Sequence, residues 1–216
     1  MIDSPPWARV TGAAGAGAGP GGVEPMLVRD FARELHAQVR WAPGPAPRLL
    51  AALEHGERDL VVGGFTESTP WRERVATTNP FFIDSVVVGV APGAPPLREL
   101  DGERVLVALG DPAARDVRDE GGTPVVVDSL GAPLLAGEGS IARLPVATSA
   151  WRLPALQREP SRLVLREVGH VMLVPRGENG WLVRLERFLR GRRADVGERL
   201  RRERRPGAPP RGATPP

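Results

Sequence analysis

The stretch that decides the fold reads Asp59-Leu60-Val61-Val62-Gly63-Gly64-Phe65-Thr66-Glu67-Ser68-Thr69-Pro70-Trp71-Arg72. Its first half predicts a buried strand that ends at a Gly-Gly corner. Its second half predicts a polar loop that carries hydroxyls, an indole and a cation, and the turn pair Pro80-Phe81 follows it. Small residues, hydroxyls and one cation at the end of a buried strand are how α/β proteins build small-molecule sites. The stretch therefore indicates ligand binding rather than bond-breaking chemistry.

The composition is that of a globular chain with many turns. The 216 residues are 41% hydrophobic and suffice for one sizeable core or two small lobes, and 26 Gly and 24 Pro imply frequent turns. The absence of Cys excludes disulfides, thiol catalysis and cysteine-type zinc sites. No apolar run approaches the ~20 residues of a membrane-spanning helix. We find no export signal at the beginning of this chain.

The charge is unevenly distributed along the chain. All 29 basic residues are Arg, and the 9 Arg and 3 acids from Arg190 onward give that part a balance of +6, whereas residues 1–189 have 20 Arg and 23 acids, a balance of −3. The body is therefore mildly acidic and only the tail is basic. Such an Arg/Pro-rich tail is typical of a solvated, disordered segment, so we predict disorder over 191–216 and no nucleic-acid partner.

Periodicity places helices and strands in an alternating order. The pattern predicts helices over 24–37, 48–55, 111–120 and 180–190. It predicts strands over 39–41, 59–63, 85–91, 104–109, 124–128, 141–151 and 162–174. Strands and helices alternate through residues 1–66 and again through 104–128, which implies parallel sheets with right-handed crossovers.

A series of short motifs runs in order through the chain. It comprises Pro5-Pro6-Trp7, Gly22-Val23-Glu24, Leu49-Leu50-Ala51-Ala52-Leu53-Glu54-His55-Gly56, Asp59-Leu60-Val61-Val62-Gly63-Gly64-Phe65-Thr66, Asn79-Pro80-Phe81-Phe82, Leu97-Arg98-Glu99-Leu100-Asp101-Gly102 and His170-Val171-Met172-Leu173-Val174. In kind and order this series resembles the bacterial extracellular solute-binding proteins of family 3, the amino-acid-binding receptors of ABC importers. The resemblance covers about residues 2 to 190.

The resemblance implies a two-lobed α/β fold of the type II periplasmic-binding-protein kind. Lobe one comprises 1–90 plus 171–190 and lobe two comprises 91–170, with a solute held in a cleft between them and hinge closure on binding. Members of the family open with a strand just before the Pro-Pro-aromatic turn. Because Met1 stands at that point here, we expect this N-terminal strand to be missing from the chain.

The resemblance also proposes ligand-binding residues in lobe one. The corner offers Gly64, Phe65 and Thr66, although Thr66 could instead cap the following turn. In amino-acid binders an Arg shortly after the corner clamps the α-carboxylate. A gapless match places Trp71 there and a shift of one residue restores Arg72, which could also be an ordinary exposed arginine.

Four further residues complete the predicted site: Asp3 and Trp7 in lobe one, and Asp111 and Ser149 in lobe two. Asp3 could accept an amine of the solute and Trp7 could stack on it, although Trp7 could equally cover the core. In lobe two the matching positions are Asp111, whose charge would repel a carboxylate, and Ser149, which is neutral where an acid takes the amine of amino-acid ligands.

We therefore predict a substrate-binding protein that captures a small polar solute, an amino acid or similar, for ABC-type transport. It is expected to be a monomer without catalytic activity, cofactor or metal, to meet ABC permease subunits, and to be periplasmic or extracellular, with a membrane tether as a variant. One alternative is a ligand-sensing or degenerate interaction module of the same fold. Another is a cyclohexadienyl-dehydratase-like enzyme, which needs a buried carboxylic acid of raised pKa, for which Asp3 and Asp111 are the candidates.

Overall fold

Two units make up the chain in the computed structural model, which describes residues 1–10, 19–131, 134, 139 and 141–202. Unit one comprises Met1–Ser85 and Arg166–Arg199, and unit two comprises Val86–Leu165 together with Leu200 onward. The predicted lobe boundaries at 90 and 170 fall five residues later than these two crossings. The low-complexity run that the sequence shows over 11–18 lies outside the described residues.

Helices and strands are distributed over both units. The helices are α1 (Val23–Glu34), α2 (Ala46–Glu54), α3 (Ala113–Asp119), α4 (Asn179–Arg190) and α5 (Arg193–Arg202). The strands are β1 (Ala76–Thr77), β2 (Phe82–Val90), β3 (Arg104–Ala108), β4 (Thr123–Val127), β5 (Val146–Ser149), β6 (Glu159–His170) and β7 (Leu173–Val174). Short 3-10 helices cover Pro70–Glu73, Ile141–Arg143 and Ala150–Leu156. The predicted mixed α/β class is confirmed.

The core of unit one is built on α2. Its apolar residues recur at one face, since Leu49, Leu50 and Leu53 are all buried. The helix ends at Glu54, His55 caps it, and Gly56 follows with a φ of 71°, the usual helix-terminating conformation. These leucines pack with a second group of buried side chains: Val61, Val75, Val171 and Leu173. The segments on either side of the Gly-Gly corner are thereby fixed to the helix that precedes them.

Strand pairing in unit one differs from the prediction. The described pairings there are antiparallel, between β1 and β7 and at isolated bridges such as Val61 with Leu173. The predicted parallel sheet over residues 1–66 is therefore wrong, and residues 39–41 form no strand. The predicted strand over 59–63 is reduced to that one bridge. The apolar run over 59–63 is buried because it packs on α2, and burial alone does not require a continuous ladder of backbone hydrogen bonds.

Unit two contains the parallel arrangement that the sequence predicts for its second run. Strand β3 pairs in parallel with β4 through five register positions, from Arg104 opposite Thr123 to Ala108 opposite Val127, and α3 connects the two strands. The sheet has the order β4-β3-β5-β2-β6, with β5 parallel to β3 and antiparallel to β2. The core lies among Val87, Leu106, Val146, Leu153 and neighbouring apolar residues.

Two further segments differ from their predicted structure. The strand predicted over 141–151 is divided into a 3-10 turn, β5 and a second 3-10 helix, since β5 begins only after Pro145. Part of the predicted disordered tail is helical, because α5 buries Val196 and Leu200 and its Arg199 pairs with Asp30 at 3.0 Å. Two apolar residues four apart were too weak a signal within an Arg-rich run. Residues 203–216 lie outside the described part.

Candidate functional site

A Gly-Gly corner stands at the centre of the candidate site in unit one. Gly64 has φ 72°, and a Cβ there would lie 2.8 Å from Oγ of Ser4 and 3.0 Å from Cδ1 of Trp7. A Cβ at Gly63 would lie 2.6 Å from Cβ of Ile2. Since packed carbon atoms do not approach so closely, both positions require glycine. The corner consequently packs with its backbone against the first residues of the chain.

The segment leaving the corner is held by hydrogen bonds to the end of β6 and the residue after it. Val171 donates its N–H to the carbonyl of Phe65 at 2.9 Å, and Glu67 donates to the carbonyl of Gly169 at 2.8 Å. Between them, Thr66 forms an antiparallel bridge with His170. The backbone that presents Phe65 and Thr66 is therefore fixed on its outgoing side.

The carboxyl group of Glu24 holds the corner from the other side. Glu24 lies in the first turn of α1 and is fully buried, with 0% of the residue exposed. Its Oε2 accepts the N–H of Gly64 at 3.0 Å, while its own N–H donates to the carbonyl of Trp7 at 2.8 Å. Among the described residues its Oε1 has no hydrogen-bond partner. A buried carboxyl with one unpartnered oxygen is costly as an anion.

Burial accordingly raises the pKa of Glu24 to about 7. The backbone N–H groups of Gly64 and Gly63 and the charge of the Met1 amino group act in the opposite direction, because each favours the carboxylate. The position at the N-terminus of α1 favours the charged form as well. Desolvation is the largest of these effects, so the group behind the corner exchanges a proton near neutral pH.

An aromatic stack packs against the corner through Trp7. The indole of Trp7 stacks on the imidazole of His170 with ring centroids 3.7 Å apart, and the rings of Phe81 and Phe82 approach it at 6.2 and 5.9 Å. Trp7 is only 7% exposed. Of its two predicted roles, the surroundings favour a cover over the core, because little of the indole is open to a solute.

His170 is buried in that stack as a neutral base. It is 5% exposed, and its Nδ1 has no hydrogen-bond partner among the described residues. Burial lowers the pKa of His170 to about 4, because the imidazolium would lose its hydration there. At neutral pH the ring is thus uncharged, and it supports Trp7 by stacking rather than by charge.

The polar loop beyond the corner places its side chains in different surroundings. The hydroxyls of Thr66 and Ser68 lie 3.0 Å apart and share a hydrogen bond. Trp71 is half-buried against the α2 core, and the guanidinium of Arg74 lies over its ring at 5.6 Å. Arg72 is exposed, and its carbonyl accepts a hydrogen bond from Arg176.

The two candidates for a carboxylate clamp are thereby distinguished. The indole ring of Trp71 packs on the core and under Arg74, which also donates from Nε and Nη2 to the two carboxylate oxygens of Glu54, each at 2.6 Å. The guanidinium of Arg72 makes no hydrogen bond or ion pair with any described residue. Arg72 therefore has the free donors that a carboxylate clamp requires.

The remaining predicted residues lie apart from the corner. Asp3 is exposed, and its carboxylate accepts the N–H of Val10 at 2.6 Å. Asp111 is half-buried in unit two, where it accepts the N–H of Ala113 at the beginning of α3. Ser149, also in unit two, ends β5 opposite Val86. Asp3 and Asp111 are the two candidates for the buried acid that the dehydratase alternative needs, and of these Asp3 is exposed and Asp111 half-buried.

The structure thus brings Trp7, Gly64, Phe65 and Thr66 together around one corner. Sequence reasoning missed the two buried titratable groups that hold this corner, Glu24 and His170. A signal for Glu24 was present, because it occupies the apolar face of α1 at spacings of three, four and seven residues before Leu27, Val28 and Phe31. A carboxyl group on the buried face of a helix is costly unless it accepts hydrogen bonds from nearby donors, so such a residue indicates a specific contact.

A separate cavity of about 190 Å³ lies elsewhere in unit one, between α1, α4 and the segments before α2 and the corner. Its aromatic walls are Phe31, Trp41 and Trp181, and the indole N–H of Trp181 donates to the carbonyl of Asp59 at 2.9 Å. None of the predicted ligand-binding residues lines it.

The described residues contain no group of three or more His, Asp or Glu side chains placed for a metal ion. In the same part of the chain, no helix has the length and apolarity needed to cross a bilayer.

Comparison with known proteins gives a family match over nearly the whole described chain. The model of the family described as bacterial extracellular solute-binding proteins, family 3, matches residues 3–200. No curated protein sequence matches this chain.

Solved structures of low sequence identity share the fold. The L-cystine solute receptor of Neisseria gonorrhoeae, in its unliganded open conformation, superimposes with a TM-score of 0.70 at 15% identity, covering 91% of this chain and 86% of that one. The GluR0 ligand-binding core in complex with L-glutamate gives 0.60 at 16%, covering 93% and 95%. The ancestral amino-acid-binding protein AncCDT-1, a precursor of cyclohexadienyl dehydratase, gives 0.54 at 17%, covering 93% and 90%. At these identities the likeness shows the type II periplasmic-binding-protein fold and no more.

Proposed function

We propose a solute-binding function for this chain, which belongs to the bacterial extracellular solute-binding proteins of family 3. The chain captures a small polar solute, an amino acid or a similar molecule, in a cleft that closes by hinge motion. It delivers the solute to ABC permease subunits in the membrane and acts as a monomer in the periplasm or outside the cell. The receptors of L-cystine and L-glutamate among the similar folds favour an amino acid.

The observation that carries this proposal is the geometry around Gly64. The corner is held by buried groups on its entry side, and it leads into a loop with two hydroxyls and with the guanidinium of Arg72, which pairs with no described residue. Small-solute recognition requires a backbone that already holds a few polar groups in place. Binding then loses little conformational entropy, because these groups need not be ordered by the solute. Thr66 would donate or accept a hydrogen bond, and Arg72 would clamp a carboxylate.

The proposed solute contacts from unit two are few, Asp111 and Ser149. Asp111 already accepts the N–H of Ala113 within its own helix start, and Ser149 offers one hydroxyl. A carboxylate of the solute belongs near Arg72 and away from Asp111, since like charges repel. An amino or amide group of the solute belongs near Asp111.

The test uses the five Trp and the absence of Tyr. Trp emission and melting temperature are followed while amino acids, polyamines, organic acids and sugars are titrated one class at a time. A saturable change with an amino acid is expected, because a ligand that binds only the native state raises its stability. Silence over the whole panel, from a protein that melts cooperatively, would overturn the solute-binding function and favour the sensing or interaction module.

A pair of arginine variants tests the clamp. Arg72→Gln should weaken amino-acid binding by about tenfold to a hundredfold, since a charge-assisted hydrogen bond contributes about 1.5–3 kcal/mol. The matched control is Arg48→Gln, an exposed arginine of α2 in the same unit, which should bind as the parent does. Equal affinity of both variants would remove Arg72 from the proposed site.

The dehydratase alternative has one structural observation in its favour. Glu24 is a buried carboxylic acid of raised pKa, the kind of group that acid-catalysed dehydration needs. It is nevertheless fully buried behind Gly64 and touches the corner backbone. A general acid must reach the leaving group, so we propose binding rather than catalysis for this chain.

A further inference from the structure

We propose that Glu24 is a positioning residue of the solute site, whose buried carboxylate holds the Gly63–Gly64 corner in its solute-binding geometry and loosens it on taking up a proton. The inference rests on the proposed function, since it assigns to the corner the binding of a solute. It makes solute affinity depend on pH close to neutrality, through a group that the solute never touches.

The first step is the contact itself. Oε2 of Glu24 and the N–H of Gly64 form a hydrogen bond of 3.0 Å, and the amide of Gly63 also acts on the same carboxyl. An ionised carboxylate is about twice as strong an acceptor as a neutral group. Protonation therefore weakens the bond that holds the entry side of the corner, while the outgoing side stays bonded to Gly169 and Val171.

The second step is that the corner cannot absorb the change without moving its neighbours. The backbone of Gly64 packs so closely on Ser4 and Trp7 that no side chain fits there. Trp7 in turn stacks on His170, which bridges Thr66. A change in the position of Gly64 is thus transmitted to the residue that carries the proposed solute-binding hydroxyl.

The third step concerns the other charges that face Glu24. The Met1 amino group is the cation whose charge reaches the carboxyl, and the charge of Arg58 acts on that amino group in turn. Burial lowers the pKa of the amino group, so that group also loses charge more easily than usual. His170, which stacks on Trp7, is neutral above pH about 4. Asp3 and Glu67, the acids of the adjoining segments, are exposed. Glu24 and the Met1 amino group are therefore the two groups at this corner whose pKa values are displaced toward neutrality, and replacing Glu24 by Gln separates their effects.

The binding experiment uses L-glutamine, whose side chain does not titrate between pH 6 and pH 8. Its dissociation constant is measured by calorimetry over this range for the parent chain, for Glu24→Gln and for Glu57→Gln, an exposed acid that serves as control. If only the ionised form holds the corner, affinity falls about tenfold from pH 8 to pH 6, because the competent fraction falls by that factor. Glu24→Gln should bind weakly and independently of pH, whereas Glu57→Gln should keep the parental profile. A Glu24→Gln variant with the parental profile would overturn the inference.

A second measurement needs neither a variant nor a solute. The chain contains three Gly-Gly pairs, at 21–22, 63–64 and 121–122. Glycine labelled with ¹³C at the carbonyl and with ¹⁵N therefore restricts a carbonyl-to-amide correlation spectrum to Gly22, Gly64 and Gly122. The Gly64 amide should titrate with a midpoint near pH 7, and Gly122, which donates to the carbonyl of Val117, should not.

The two measurements separate this inference from the function on which it rests. A Gly64 amide that does not titrate overturns the inference whether or not L-glutamine binds. Absence of L-glutamine binding at every pH, with a titrating Gly64 amide, overturns the coupling to this solute and counts against an amino-acid receptor. The solute panel then decides whether the proposed function itself fails.

Discussion

The indole of Trp7 lies on the imidazole of His170 with ring centroids 3.7 Å apart and planes inclined by 26°. The two residues are 163 positions apart in the sequence. Trp7 packs against Gly64 of the corner, and Glu24 accepts the N–H of the same glycine. The candidate site therefore contains two buried titratable groups, His170 with a lowered and Glu24 with a raised pKa.

His170 should make the protein sensitive to acid. Because its pKa is about 4 in the folded chain and 6.5 when unfolded, the unfolded state takes up the proton first, and stability is lost as pH falls from 6.5 through 4. The full effect is about 3 kcal/mol, from 1.36 kcal/mol per pH unit. In His170→Gln, the free energy of unfolding measured in urea should no longer fall through this contribution between pH 6.5 and pH 4. A variant as acid-sensitive as the parent would contradict the buried neutral state.

Glu24 should act in the opposite direction. Its pKa of about 7 lies above the unfolded value of 4.5, so its contribution to stability is present below pH 4.5 and is lost as pH rises through 7, again by about 3 kcal/mol. Glu24→Gln should remove this loss and leave stability rising from pH 4 to 6.5 through His170. In the parent chain the two titrations offset each other, so a plateau is expected between pH 4.5 and 6.5. A steep slope there in the parent chain would disagree with one of the two pKa values.

Gly64→Ala should destabilise the protein by about 3 kcal/mol, because backbone strain and overpacking each contribute about 1–3 kcal/mol. Gly56→Ala is a matched control. The two glycines have φ of 72° and 71°, but a Cβ at Gly56 meets nothing within 4 Å. The control should therefore show only the strain, about 1 kcal/mol. Equal losses in chemical denaturation would mean that the corner does not pack on Ser4 and Trp7 as described.

The ion pair between Arg199 and Asp30 should fasten α5 to α1. Its atoms lie 3.0 Å apart and the side chains are 24% and 15% exposed, so screening by water is incomplete. A double-mutant cycle with Arg199→Met and Asp30→Asn should give a coupling of about 1 kcal/mol or less that falls with salt. The exposed pair of Arg192 and Asp195, 3.6 Å apart, is the comparison and should give a smaller value. Coupling that is absent at low salt would leave Val196 and Leu200 as the features that hold this helix.

Helices and the second α/β run were predictable because their signals are local. The leucines of α2 recur on one face and stop at Gly56, and β3, α3 and β4 follow one another within 24 residues from Arg104 to Val127. Strand pairing in unit one was not predictable in the same way. Val61 pairs with Leu173, more than a hundred residues away, and nothing in the local pattern specifies that partner.

The sequence by itself determined the mixed α/β class, the family resemblance and the Gly-Gly corner with its polar loop, because periodicity, glycine and residue order are properties of neighbouring positions. Only the tertiary structure decided that Glu24 lies buried against Gly64, that His170 stacks on Trp7, and that Trp71 packs on the α2 core while the guanidinium of Arg72 pairs with no described residue. The physical reason is desolvation. A residue's charge, its pKa and its available hydrogen bonds depend on what distant segments pack against it, and a linear pattern does not contain those distances.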